Sequence, residues 1–431
     1  MTRRSQAAPC LFFCVFVIVR SLGGQVLDQK FSGMWARSIG PAGMSGRITA
    51  IDAVVADPDI IYVGAATGGL WKSINGGQTW SAVFDDQPVL SIGAVAIDQS
   101  NPNVVWVGTG EGNPRNSAGI GAGIYRSIDG GENWALLGLE HSERIHRILL
   151  HPTDPAVAYV GAMGPAWSDG EERGVFKTTD GGITWERILF VDERTGVGDM
   201  VMDPTDPEKL FVGMWSFRRS PWFFESGGPG SGLYVTLDGG ETWKRMDAGD
   251  GFPEGEYGRI GLAVSPSAPH VVYALIEAAE SALLRSTNGG LSWRTIRSGP
   301  GVNPRPFYYS DIFVDPEDEQ RVFQLHSRLE VSEDGGESFE TVGSGVHPAY
   351  QALWISPNDP RLLYAGTDGG FYVSRDRGKH WRMIENLPVG QFYRISVDDE
   401  IPFSVYGGMQ DNGSWKGPSD RWESGGIRNY H

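Results

Sequence analysis

One eight-residue pattern recurs seven times and limits most of what this chain can become. It runs Ser/Thr, any residue, Asp/Asn, Gly, Gly, any residue, usually a small polar residue, aromatic. The copies are SINGGQTW at 73–80, SIDGGENW at 127–134, TTDGGITW at 178–185, TLDGGETW at 236–243, STNGGLSW at 286–293, SEDGGESF at 332–339 and, degraded, SRDRGKHW at 374–381. Measured at the closing aromatic, neighbouring copies are 42 to 58 residues apart. A supersecondary unit repeated at that spacing forms an array whose members bury their faces on one another.

The pattern has the chemistry of a hairpin turn. An Asp or Asn side chain can accept from nearby backbone N–H groups, and glycine takes positive φ without steric cost. The aromatic can fold back as an apolar plug. Asn75 and Trp80, Asp129 and Trp134, Asp180 and Trp185, and Asp238 and Trp243 are therefore assigned to structure. So are Asn288 and Trp293, Asp334 and Phe339, and Asp376 and Trp381. They recur once per unit, whereas a catalytic or metal set is needed once.

Each unit has the same internal order. An alternating apolar strand (48–55) leads to the turn Asp57-Pro58, then to a β-rich strand (60–64), a Gly-rich loop, a short strand (70–73), the box and a last strand. Asp154-Pro155, Asp203-Pro204, Asp315-Pro316 and Asp359-Pro360 mark the first turn elsewhere, where Pro is suited to turns and cannot donate in a central strand. No stretch longer than a turn or two has helical periodicity. The expectation is an all-β fold, a β-propeller of four-stranded blades, seven or eight in this chain, or the first part of a larger propeller protein. The 60 glycines and 26 prolines suit many turns and few helices, and 11% aromatic residues argue against disorder.

The ends read differently. Arg3 and Arg4 precede an apolar run at 11–19, and Gly23 and Gly24 follow it. That order reads as a signal peptide over 1–24, its apolar run too short to span a bilayer. Export to the periplasm or beyond is expected, with no membrane span after cleavage. Both cysteines, Cys10 and Cys14, lie in that segment, so disulfides, thiolate zinc sites and cysteine nucleophiles are excluded for the remainder. The formal charge of −17 becomes more negative once the three signal arginines are removed. Such a surface repels phosphate backbones, and no nucleic acid partner is expected. Residues 25–390 are assigned to the propeller. Residues 391–431 read as an incomplete further blade, or as one completed by a strand near 31–39.

The boxes resemble the Asp-box, or BNR, repeats of sialidases, family 74 xyloglucan-cleaving hydrolases, sortilin-type receptor domains and photosystem II assembly factors. The longer strings SGRITAI (45–51), VGTGEGNPRNS (107–117), ERGVFKTTDGG (172–182), GGPGSGLYVTLDGG (227–240), TDGGFYVSRD (367–376) and YGGMQDNGSW (406–415) resemble secreted bacterial proteins. Those are often labelled BNR-repeat glycosyl hydrolase or sortilin N-terminal domain protein. The resemblance implies an aspartate in an Asp-x-Gly-Gly context on an early blade of a family 74 hydrolase, with its partner on a second propeller. Here the early match is AATGGLWKS (65–73), without Asp before Gly68. Asp368 in TDGG and Asp411 in QDNG are the remaining catalytic candidates. The Phe before Arg and the Pro after Ile of the sialidase motif are missing around Arg47.

Function usually lives on long loops held by a rigid scaffold. Strand connectivity places the longer loops, at 110–122, 161–174 and 215–232, on the face opposite the boxes. That face offers Glu111, Asn113, Arg115, Trp167, Arg173, Trp215, Arg218, Arg219 and Trp222 as ligand-binding candidates. First strands start there too, bringing Arg47, Arg259, Tyr308 and Tyr350 to the channel mouth. Aromatic platforms with Arg and carboxylates suit sugars or peptides. The expected function is a secreted binding or scaffold module for a glycan or protein ligand, and the alternative is a glycoside hydrolase. No cofactor is implied. No metal is expected either, since neither HExxH nor EF-hand spacing occurs.

Overall fold

The computed structural model describes residues 45–420. The expected signal peptide at 1–24, the candidate strand near 31–39 and residues 421–431 lie outside the described residues. Among the described residues eight antiparallel sheets follow one another, with a single 3-10 turn at Ala248–Asp250. Blade 1 consists of Ile48–Val54, Asp57–Ala65, Leu70–Ser73 and Ser81–Ala82, paired in chain order. Blades 2 to 7 repeat that order, opening at Ile92, Ile145, Thr195, Ile260, Asp311 and Tyr350. Blade 4 carries an extra strand, Phe224–Ser226, on the extended end of Asp206–Arg219.

The boxes form the turns their sequence implies. In blade 2, Ser127 Oγ donates to Asp129 Oδ1 at 2.7 Å and accepts from Gly131 N at 2.8 Å. Asp129 Oδ1 also accepts from Asn133 N at 2.9 Å. The degraded seventh box keeps all three bonds, with Arg377 taking φ +61° in place of glycine. Three of the box tryptophans then reach back one blade. The indole N–H of Trp134 donates to Val83 O at 2.6 Å, that of Trp185 to Leu137 O at 2.8 Å, and that of Trp243 to Ile188 O at 2.9 Å. One local motif therefore makes a turn and staples two blades.

The apolar core is divided among the blade interfaces. Tyr62, Leu70 and Phe84 of blade 1 pack on Ile92, Val107 and Tyr125 of blade 2. In the same way Ile48, Ile61 and Val63 of blade 1 pack on Tyr364, Phe371 and Val373 of blade 7. The second-strand glycines explain how blades approach so closely. A Cβ on Gly64 would lie 2.5 Å from Ile92 Cγ2, one on Gly108 2.4 Å from Ile145 Cγ2, and one on Gly366 2.7 Å from Ile48 Cγ2. Ile48 thus receives blade 7 as Ile92 receives blade 1. The ring closes at seven.

The expectation of seven or eight blades narrows accordingly. Phe392–Val397, Ser404–Met409 and Ser414–Pro418 form a three-stranded sheet that no longer belongs to the ring. Tyr393, Ile395 and Val397 of its first strand are exposed, where the matching side chains of the ring's first strands are buried or half-buried. Among the described residues no helix is long and apolar enough to cross a membrane.

Candidate functional site

The long-loop face is braced from the centre outward. The 110–122 loop of blade 2 lies over the channel mouth. Its Glu111, fully buried, meets Arg47 Nε at 3.1 Å and Arg115 Nε at 3.3 Å. Asn113 donates to Gln351 of blade 7 and accepts from Arg259 Nη1 of blade 5 at 2.7 Å. Arg259 Nη2 lies 3.0 Å from His146 Nε2 of blade 3. Burial, with Arg147 and Arg259 beside it, pushes the imidazole well below its usual range. His146 is therefore neutral, and its Nε2 can accept from Arg259. One level deeper, Arg147 donates to Asp199 and to Asp311, both at 2.6 Å. These bonds tie all seven blades across the channel.

Asp368 and Asp411, 43 residues apart in sequence, are brought into the same electrostatic environment. Asp368 sits at the turn between the second and third strands of blade 7 and is nearly buried. It accepts from the Tyr308 hydroxyl at 3.0 Å and from Gln351 Nε2 at 2.7 Å. Burial raises its pKa; Arg47 and Tyr308 oppose that shift and the Asp411 charge adds to it. Asp411 is exposed at φ +61° in the corresponding turn of the eighth sheet. Asn412 Nδ2 donates to Gly369 O at 3.1 Å. Gln391 Oε1 accepts from Arg47 at 2.9 Å and from Arg115 at 3.1 Å. The junction between ring and eighth sheet is thereby fixed to the channel mouth. A small pocket of about 180 Å³ opens there, lined by Arg47, Thr67, Gly68, Gln391 and Phe392 among others. Thr67 precedes Gly68 where the family 74 resemblance looks for an aspartate.

The remaining candidates divide by depth. Arg173 is fully buried, donating to the carbonyls of Met163 at 2.6 Å, Ser168 at 3.2 Å and Pro165. Burial, with Arg218 nearby, lowers its pKa to about 10. It pins the 161–174 loop from beneath. Trp215 is equally buried and stacks on Phe217 with ring centres 4.6 Å apart. Tyr350 packs between blades 6 and 7. These three are buried, as are Arg47, Glu111, Asn113, Arg259 and Tyr308. Trp222 and Trp167 remain open, 82% and 46% exposed. Arg218 pairs with Asp169 and donates to Trp167 O at 3.0 Å. Arg219 N donates to Ala166 O at 2.7 Å, and its guanidinium lies 4.8 Å from the Phe224 ring centre. The blade-4 hairpin and the 161–174 loop thus form one joined surface.

Five residues of this network were not singled out from sequence: His146, Arg147, Asp199, Asp311 and Gln351. Each is a polar side chain within a first strand, and that interruption of apolar alternation was the available signal. Among the described residues no group of three or more His, Cys, Asp or Glu could hold a metal ion.

Residues 122–254 match the sortilin Vps10 family (sortilin, neurotensin receptor 3). A xyloglucanase of Paenibacillus sp is 27% identical over 236 residues, covering 47% of this chain and 21% of that protein. A xyloglucanase of Hypocrea jecorina is 26% identical over 371 residues, covering 78% of this chain and 41% of that protein. The crystal structure of a family 74 xyloglucanase from Xanthomonas campestris superposes with a TM-score of 0.62 at 18% identity, over 86% of this chain and 59% of that one. The chain is an Asp-box β-propeller. This Asp-box propeller is similar to the xyloglucanase propellers in fold and spans less than half the length of the two curated relatives described.

Proposed function

We propose that this propeller belongs to a glycoside hydrolase, holding a polysaccharide on its long-loop face beside the junction with the eighth sheet. The observation that carries the reading is the convergence of Asp368 and Asp411 on that junction. Glycoside hydrolysis uses a carboxylic acid to protonate the leaving oxygen and a second carboxylate as base or nucleophile. Asp368 suits the acid role, because its burial favours the protonated form and Tyr308 and Gln351 hold its oxygens. Asp411, exposed to solvent, suits the other. With Thr67 in blade 1, the pair is drawn from blade 7 and the eighth sheet. The likeness to xyloglucanases makes xyloglucan the first substrate to try. Residues 1–24 would export the protein, and the step needs neither metal nor cofactor.

A second reading, binding of a glycan or protein ligand without turnover, is favoured by the exposed Trp222 and Trp167. Aromatic faces of this kind suit sugar rings in either case. The two readings separate in one assay, the release of reducing ends from xyloglucan by the 431-residue chain. Asp368→Asn and Asp411→Asn should each lower the rate about 10²–10⁴-fold. Undiminished release in both removes the pair, and binding without release by the unaltered chain leaves the binding reading.

A further inference from the structure

Most arginines of the long-loop face are neutralised where they stand. Arg47 and Arg115 meet Glu111, Arg144 meets Glu143 and Arg218 meets Asp169. Arg219, from the blade-4 hairpin, and Arg305, from the link between blades 5 and 6, are different. Among the described residues neither pairs with a carboxylate. Burial, and then the charge of Arg305, lower the pKa of Arg219. The chain holds 53 acidic residues against 36 basic ones, so the pair is not left bare for want of carboxylates.

Both side chains lie on one aromatic platform. The Arg219 guanidinium is 4.8 Å from the Phe224 ring centre, and that of Arg305 is 5.2 Å from Phe307 and 4.8 Å from Tyr308. The Phe224 and Phe307 rings are themselves 5.3 Å apart. The backbone beneath is fixed too. Arg219 N donates to Ala166 O at 2.7 Å, and Arg305 O accepts from Tyr308 N and Tyr309 N, both at 3.1 Å. A guanidinium stacked on a ring is pre-organised, with its edge N–H groups free to form a fork. Arg305 is exposed and Arg219 half-buried. Only Nε of Arg219 is sealed from solvent, which leaves its Nη edge open. The platform borders the candidate acid, since Tyr308 also donates to Asp368 at 3.0 Å. Trp222 stands exposed three residues beyond Arg219.

We infer that Arg219 and Arg305 bind the carboxylate of a uronic acid unit, so that the polysaccharide held on this face is an acidic one. This deepens the polysaccharide reading and rests on it. Two like charges on a shared platform repel one another. A carboxylate accepts paired N–H bonds from a guanidinium and offsets that repulsion, whereas a neutral sugar hydroxyl leaves both charges unmet. An acidic peptide would bring the charge as well, but sugar rings also suit the exposed faces of Trp222 and Trp167 beside it.

Calorimetric titration of the full chain with tetragalacturonate, with its fully methyl-esterified form and with tetraglutamate tests the inference. The acid should bind about tenfold more tightly than the ester, as charge-assisted hydrogen bonds imply. Arg219→Gln and Arg305→Gln should each remove most of that preference at an unchanged thermal midpoint, with affinity for the ester unaltered. Arg305 is exposed, so Arg305→Gln decides alone should Arg219→Gln fail to fold. Equal affinity for acid and ester, an undiminished preference in a folded variant, or tetraglutamate binding as tightly as tetragalacturonate would overturn the inference. Xyloglucan binding that persists without a preference for the acid overturns this inference and leaves the polysaccharide reading standing. Loss of both removes the two together.

Discussion

Arg147 carries a full charge in the middle of a ring of β-strands, and two carboxylates at 2.6 Å keep it there. Breaking a buried ion pair by removing one partner costs about 3–5 kcal/mol, because the remaining charge is left unpaired. Arg147→Met should lose that much in urea unfolding, and a loss under about 1 kcal/mol would mean that water screens the cluster. Asp368 makes a second prediction at this scale. If it is the acid, activity falls as pH rises through its raised pKa. The Tyr308 hydrogen bond favours the ionised form, so Tyr308→Phe should raise the pKa further. The alkaline limb of kcat/KM then moves to higher pH, and a shift to lower pH would rule out the assignment. Residue types were legible in the sequence, but their depth was not. Arg173 and Trp215 have the chemistry of ligand contacts and are fully buried. His146 and Asp311 lay in plain view as polar interruptions of apolar strands, and their partners come from blades far away in sequence.

At the scale of the element, the box was the most legible feature, because every bond that shapes it lies within eight residues. Even the seventh copy kept its turn when Arg replaced Gly. The box also has a pH signature. Hydrogen bonds within the turn, led by the Asn133 side chain at Asp129, hold Asp129, Asp180, Asp238, Asp334 and Asp376 at about 2, below the ordinary 3.8. Their folded pKa is depressed, so their contribution is fully present above the ordinary value and is lost as pH falls through about 2. Asn75 and Asn288 already occupy this position in two boxes without titrating. Replacing the five aspartates by Asn should make the thermal midpoint less sensitive to pH between 4 and 2. An acid limb as steep as that of the unaltered chain would show that the boxes do not titrate with folding.

At the scale of the whole molecule, the number of blades was the part the sequence left open. Seven boxes and a partial eighth unit are compatible with either ring. The decision rests on one long-range fit, Gly366 against Ile48, which no local pattern reveals. It can be tested directly. Gly366→Val places a side chain where a Cβ already falls 2.7 Å from both Ile48 Cγ2 and Ile48 O, and overpacking of this kind costs about 1–3 kcal/mol. Adding Ile48→Ala should recover part of the loss, since the two residues share one space. Additive losses in the double variant would place the closure elsewhere. A closed ring also explains why the site candidates can converge. Loops from blades 2, 3 and 4 and the link to the eighth sheet all open on one face, with the boxes and Asp-Pro turns on the other.

That face is the centre of the functional reading, and affinity electrophoresis through a xyloglucan gel tests it most directly. The unaltered chain should be retarded relative to a gel without polysaccharide, and a Trp167→Ala, Trp222→Ala double variant of unchanged thermal midpoint should run freely. Both tryptophans are exposed, so the variant removes contact surface rather than core. Free migration of the unaltered chain, or undiminished retardation of the double variant, would contradict glycan recognition on the long-loop face.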